Sequence, residues 1–338
     1  MKVSLSSLKP KLAVSPMTKR YLALAMLASA LWGGVSYPIT YLALGLYRIN
    51  ELIALSYLFS TVLLLIASLF HGYDEKSIIK GLLLSPINYA IVYLYTDLSG
   101  GVGGLTALVS SSYIIPLIIL DYINNRSINV RYLVSAITLL GALYLLFQGY
   151  GDSIYVALLL MVMNFVYTIA LAGINDIDII NFVLGQSLGT LIISYLIIRN
   201  PLVLTLGLDN PPYYPLILAL VGNVIPYMLY AESIRRIGPV ETSLTSSMET
   251  ISSLIASLPI QRLPMNSMAW ILLIISILSL NIELNRNNAW RKPQLISYYL
   301  PMQVNEEITS SPNIVSKSYV TFINPHLMTR VVGKRKVI

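Results

Sequence analysis

Glu249 is the residue of this chain best placed to do chemistry. It stands in GPVETSLTSSMETISS, residues 238–253, where Gly238-Pro239 supplies a proline suited to a first helical turn. Glu249 follows ten residues after Pro239, and at 1.5 Å per residue that places it about 15 Å along the helix, near the middle of a hydrocarbon layer about 30 Å thick. Thr242, Thr245, Ser246, Glu249 and Ser253 recur at three- and four-residue spacing and share one helical face, while Leu244, Met248, Ile251 and Ile255 share the other. An ionised carboxylate at the bilayer centre costs roughly 2.5–3.5 kcal/mol. A proton or a cationic substrate must neutralise it, and the spacing therefore points to proton exchange or amine binding. A glutamate held only by inter-helix hydrogen bonds is the structural alternative.

Similar polar stripes occur in other apolar runs. Asn223, Tyr227 and Tyr230 form one; Ser29, Trp32, Gly33, Ser36 and Thr40 a second; Asn164 and Tyr167 a third; Thr106, Ser110 and Tyr113 a fourth. With Asn88 they predict side chains converging on one substrate cavity. For each residue alone, packing is the competing role, because serine and threonine glue helices together and tyrosine favours the membrane interface. Enzymatic alternatives are weak. GQSLG, residues 185–189, fits the G-x-S-x-G nucleophile pattern, but that pattern needs a strand-to-helix elbow and a nearby histidine, and His71 and His326 lie in a loop and in the tail. The same residues fit GxxxG, which brings helices close. The chain has no cysteine for thiol or CxxC metal chemistry and no Walker motif for ATP hydrolysis. No catalytic residue, metal or other cofactor is expected.

The elements that must hold these residues are membrane helices. Hydrophobic residues make up 56% of 338 and charged residues 11%, with a mean hydropathy of +0.72, against about 25% charged residues in soluble domains. The formal charge of +7 comes from the ends: five basic residues in 1–20, and eight basic with two acidic in 285–338. Nucleic acid is therefore not an expected partner; a lipid bilayer and a small-molecule substrate are, with protons as candidate coupling ions. A 19-residue window predicts ten helices starting near 21, 50, 77, 103, 130, 153, 178, 213, 240 and 267. Pro38, Pro86, Pro116 and Pro226 fall inside them and predict kinks near a cavity. With the N-terminus inside, eleven basic residues, among them Lys76, Arg126 and Arg235, fall on the cytoplasmic side and three (Arg48, Arg199, Arg262) outside. Both termini are thus expected in the cytoplasm and the protein in the cell membrane. Attraction of the basic tail to anionic lipid heads is compatible with this, without an amphipathic face to anchor it.

A shift of 135 residues lays INYAIVYLYTDLSGGVGGLTALVSSSY on GNVIPYMLYAESIRRIGPVETSLTSSM. Asn88 meets Asn223, Tyr95 meets Tyr230, Asp97 meets Glu232, Gly103 meets Gly238, and Ser110-Ser111-Ser112 meet Thr245-Ser246-Ser247. The alignment implies a duplication into two five-helix repeats, 21–148 and 153–284, between a cytoplasmic segment 1–20 and a polar tail 285–338. Five is odd, so the second repeat crosses the membrane in the opposite sense. Asp97 and Glu232 become gate candidates at opposite faces. Inverted repeats with a midplane site between them are the architecture of secondary transporters working by alternating access. The other classes are an intramembrane enzyme on lipid-linked substrates, which usually needs acids clustered toward one side, and a passive channel or scaffold, which needs no deep carboxylate.

LASALWGGVSY, with Trp32-Gly33-Gly34, and YAESIRRIGPVETSLTSSMETISSLIAS resemble the EamA-like branch of the drug/metabolite transporter superfamily over about residues 20–284. The resemblance implies ten helices and transport, often export, of amino acids or related metabolites. The chain departs from the family in having Thr250 where a proline often follows the glutamate, and in lacking an arginine near Tyr57. Substrate identity, oligomeric state and the role of the tail are not legible.

Overall fold

In a computed structural model of the chain, the described residues are 16–125, 130–148, 151, 153–174, 176–198, 210–260 and 266–281. Arg126, Asp152, Arg199, Asp209, Arg262, residues 1–15 and the tail from 285 lie outside them. Among the described residues every regular element is a helix, the expected result where apolar runs must satisfy their own backbone in lipid.

The helices in chain order are α1 (Pro16–Leu31), a π segment (Trp32–Ser36), α2 (Tyr37–Ala43), α3 (Ile49–His71), α4 (Glu75–Val102), α5 (Leu105–Ser111), α6 (Ile114–Asn125), α7 (Val130–Phe147), α8 (Ser153–Gly173) and α9 (Ile179–Ile198). After the gap come α10 (Tyr213–Ile217), a second π segment (Leu218–Val224), α11 (Ile225–Ile237), α12 (Pro239–Leu244), α13 (Ser247–Ser257) and α14 (Ser267–Asn281). Six stretches are long and apolar enough to cross a membrane: Lys19–Ala43, Ile49–His71, Glu75–Val102, Ser153–Gly173, Ile179–Ile198 and Tyr213–Ile237. Their outer faces are greasy at helical spacing, as in Val62, Leu65, Ile66 and Leu69 of α3. Leu133, Ile137, Leu140 and Tyr144 of the shorter α7, and Ile271, Ile274 and Leu278 of α14, expose similar stripes. This is a multi-pass membrane protein.

Two prolines distort the helices where kinks are expected. Each π segment ends two residues before a proline, Pro38 in the first case and Pro226 in the second, because proline has no N–H to return to the carbonyl four residues back. Pro116 follows the α5–α6 break, whereas Pro86 lies inside an unbroken α4.

The α5–α6 and α12–α13 breaks share a cause. At the first, Ser111 and Ser112 donate to the carbonyls of Leu108 and Val109 at 3.0 and 2.6 Å; at the second, Thr245 and Ser246 donate to those of Thr242 and Ser243 at 2.7 and 2.6 Å. Hydroxyls turned back on the local backbone compete with the helical ladder.

Packing places these pieces. α4 crosses α9 at glycines: a Cβ on Gly185 would strike the Ile78 carbonyl, and one on Gly81 the Phe182 carbonyl. GQSLG is thus a packing motif. The π segment of residues 32–36 lies on α13 in the same way, since a Cβ on Gly33 would strike the Glu249 carbonyl. α1 packs on α11, α4 on α8, α3 on α9, and α7 on α14.

Candidate functional site

Between these helices lies a cavity of about 870 Å³, counting its open mouth. The first π segment and its flanks contribute Trp32, Ser36 and Thr40, with Ser29 deeper on α1; the second contributes Gly222 and Asn223, followed by Tyr227 and Tyr230 on α11. The two π segments meet at a single bond. The Trp32 indole N–H donates to the Gly222 carbonyl at 2.8 Å, the carbonyl that Pro226 cannot serve. This bond fixes the indole plane, and Tyr227 and Tyr230 stand edge-to-face around it at centroid distances of 5.2 and 5.3 Å. Tyr167 of α8 approaches Tyr227 at 6.1 Å.

Glu249 is on the first turn of α13 and only 4% exposed, yet it belongs to the cavity wall. The positive end of the helix dipole offsets part of the cost of burying its charge. Ser110 of α5 faces the carboxylate and accepts a bond from Asn164 Nδ2 at 3.4 Å. Tyr95, Tyr113, Tyr227 and Tyr230 all lie near enough to interact with it electrostatically. The hydroxyls of Tyr113 and Tyr230 are 2.7 Å apart, and Thr168 joins them at 3.1 Å. Tyr167 donates to Gln186 at 2.8 Å. Tyr95 differs: its hydroxyl is buried and has no partner.

Of the residues singled out in the sequence, the wall therefore includes Trp32, Ser36, Ser110, Tyr113, Asn164, Tyr167, Asn223, Tyr227 and Glu249. Thr242, Thr245, Ser246 and Asn88 are not in it. The hydroxyl stripe expected to share Glu249's face is divided by the α12–α13 break; Thr242 donates to the Gly238 carbonyl at 2.8 Å, and Ser246 also reaches Ser111 O at 3.3 Å. Asn88 bridges helices instead, donating to Tyr57 and Thr190 at 2.9 and 3.0 Å. Asp97 is exposed and lines a second pocket with Gly100 and Ser153. Glu232 pairs with Arg236 at 2.9 Å. Sequence reasoning missed the wall of α3, which is Leu52, Ile53 and Ser56, and that of α4, which is Ile91, Val92, Tyr95 and Thr96. Tyr95 carried a signal, for it aligns with Tyr230 under the 135-residue shift.

The two ends of the cavity differ. Its lining reaches Thr40, Leu52, Thr96 and Leu218, each within two turns of the same helix ends. Toward the opposite end the lining stops at Thr168 and Tyr230, and beyond them bonds join neighbouring segments: His71 to Asp178 at 2.8 Å, Lys80 to Asp176 O at 3.1 Å, Arg235 to Ile177 O at 2.9 Å, and Ser233 to Tyr21 O at 2.9 Å.

No family model and no curated protein matches the chain. Among solved structures, one described only as "Crystal structure of protein" matches with a TM-score of 0.58 at 15% identity, over 80% of this chain and 99% of its own. The likeness is one of fold alone.

Proposed function

We propose that the protein is a secondary active transporter that moves a small organic solute by alternating access, with Glu249 as the group that couples solute to charge. One observation carries this reading: a cavity with a buried carboxylate in its wall runs toward one end of the helices, while beyond Thr168 and Tyr230 at the other end hydrogen bonds join neighbouring segments. A channel would be continuous. An enzyme would need an activated nucleophile or metal beside the acid, and no cluster of three metal-binding side chains occurs among the described residues.

In this reading all ten helical segments cross the membrane, those broken or shorter than the six long ones included, and the two five-segment halves are inverted repeats. The packing supports it. Shifting by five segments turns the α1–α11 pair into the α8–α4 pair, and both pairs are in contact. Asn88 on the third segment bonds Thr190 on the seventh, and Asn223 on the eighth bonds Ser60 on the second at 3.2 Å. The N-in orientation given by the basic residues makes the cavity face outward. Cell-membrane location, cytoplasmic termini and export belong to the same proposal, export being what the resemblance to EamA-like transporters implies.

Flux in proteoliposomes at several pH values, with and without an imposed proton gradient, tests it. Solutes come from a thermal-shift panel of amino acids, polyamines, nucleosides and sugars, since a ligand of the folded state raises stability by mass action. The parent protein should concentrate a solute when a proton gradient is imposed. Glu249→Gln should fold, lose that coupling and retain downhill exchange. A variant indistinguishable from its parent reduces Glu249 to a packing residue.

A further inference from the structure

We infer that the cavity selects an aromatic organic monocation, an amine without a carboxylate; this rests on the transport reading and names its substrate class. Glu249 is the one lining residue that carries a full charge at neutral pH when ionised, and no arginine, lysine or histidine lines the wall. An amino acid would bring its own carboxylate to a site with no cation to receive it, next to a carboxylate that repels it. An amine brings only the charge that Glu249 lacks.

The wall also fits the rest of such a ligand. Trp32, Tyr227 and Tyr230 line the same wall as Glu249, with the indole inclined by 75° and 65° to the two phenol rings, and aromatic rings beside a cation stabilise it through their quadrupoles. The indole is held by its bond to Gly222 and cannot swing away. A bare metal ion is poorly served here, because hard cations take six or more oxygen ligands. Toward the mouth, Leu52, Ile53, Ile91 and Leu218 offer apolar contact for a ring.

Three probes sharing one ring separate the possibilities: phenethylamine, its amino-acid analogue phenylalanine, and the neutral 2-phenylethanol. Binding is measured by calorimetry on the purified full-length protein in detergent. Phenethylamine should bind at least about tenfold more tightly than either of the others, and Glu249→Gln should reduce that preference over 2-phenylethanol to about twofold or less. Trp32→Leu should weaken the amine by about threefold to tenfold with little change for the alcohol. Phenylalanine or 2-phenylethanol binding as tightly as the amine to the parent protein overturns the inference without any variant. No binding of the amine at millimolar concentration does so too. Flux of the same probes in proteoliposomes keeps the two claims apart. Concentrative uptake of phenylalanine leaves transport standing and removes the cation class, whereas Glu249-dependent amine binding without flux keeps the site and removes the transporter.

Discussion

Pro226 leaves the Gly222 carbonyl without the N–H four residues on, and the Trp32 indole takes that place at 2.8 Å. Trp32→Phe keeps an aromatic ring but loses the donor, so it should cost about 1–3 kcal/mol, the usual penalty for an unsatisfied buried carbonyl. Pro226→Ala provides a local N–H, and the double variant should recover part of the loss. Thermal unfolding in detergent across the double-mutant cycle checks this; additive effects would mean that Gly222 is not the shared partner. Gly33→Ala acts by crowding, since its methyl would meet the Glu249 carbonyl, and should destabilise by about 1–3 kcal/mol. At this scale the sequence was informative about which residues are polar and less so about their partners. Trp32 and Glu249 stood out as large or charged groups in apolar runs, but a backbone acceptor donated by another helix leaves no mark on composition. Ser246 and Thr245 stood out equally; both donate to their own backbone, and Ser246 also contacts Ser111 O and the Tyr113 side chain.

The helical elements begin close to where apolar runs begin, because window hydropathy reports the same property that makes a segment prefer lipid. The π segments were foreshadowed by Pro38 and Pro226. The α12–α13 break was not, because TSLTSSM reads as a helical stripe until each hydroxyl is seen turned on the carbonyl three residues back. Where elements meet at the closed end, Asp178 is the hinge of the hydrogen bonding. Its Oδ1 accepts the Asn181 N–H at 2.9 Å, and its own N–H donates to Ser77, which is bonded in turn to Asp74. His71 approaches its Oδ2, while Lys80 and Arg235 hold the adjacent carbonyls of Asp176 and Ile177. Burial raises the Asp178 carboxyl, but the Asn181 and His71 bonds outweigh it and hold the group below the usual range. With the folded value depressed, the stabilisation is present above the unfolded value of about 3.9 and is lost as pH falls through the folded one. Asp178→Ala should therefore lower thermal stability at neutral pH by about 0.5–2 kcal/mol, the range for a lost helix cap. The gap to the parent should narrow as the pH drops below about 4. A gap independent of pH would assign the loss to packing.

For the whole molecule, the inverted repeats proposed above imply that the opposite state is reached when each half adopts the conformation of the other. Under the 135-residue shift Thr96, which lines the cavity and is 4% exposed, corresponds to Ala231, which is 1% exposed and does not line it. The two positions should therefore exchange accessibility. Because the chain has no cysteine, single cysteines at Thr96 and Ala231 can be read without background mutations, using an impermeant thiol reagent on sealed vesicles of each orientation. In the state described here Thr96→Cys should label from outside and Ala231→Cys from neither side. Asp178→Ala, by loosening the closed end, should raise labelling of Ala231→Cys from the cytoplasmic face and lower that of Thr96→Cys from outside by a similar factor, since one equilibrium governs both. Lys76→Cys should stay reactive from the cytoplasmic face and Asp97→Cys from outside throughout. Ala231→Cys labelling from outside would place both positions on one face and remove the inversion. Thr96→Cys and Ala231→Cys rising together would point to a pore that opens through its whole length, and alternating access would then give way to a channel.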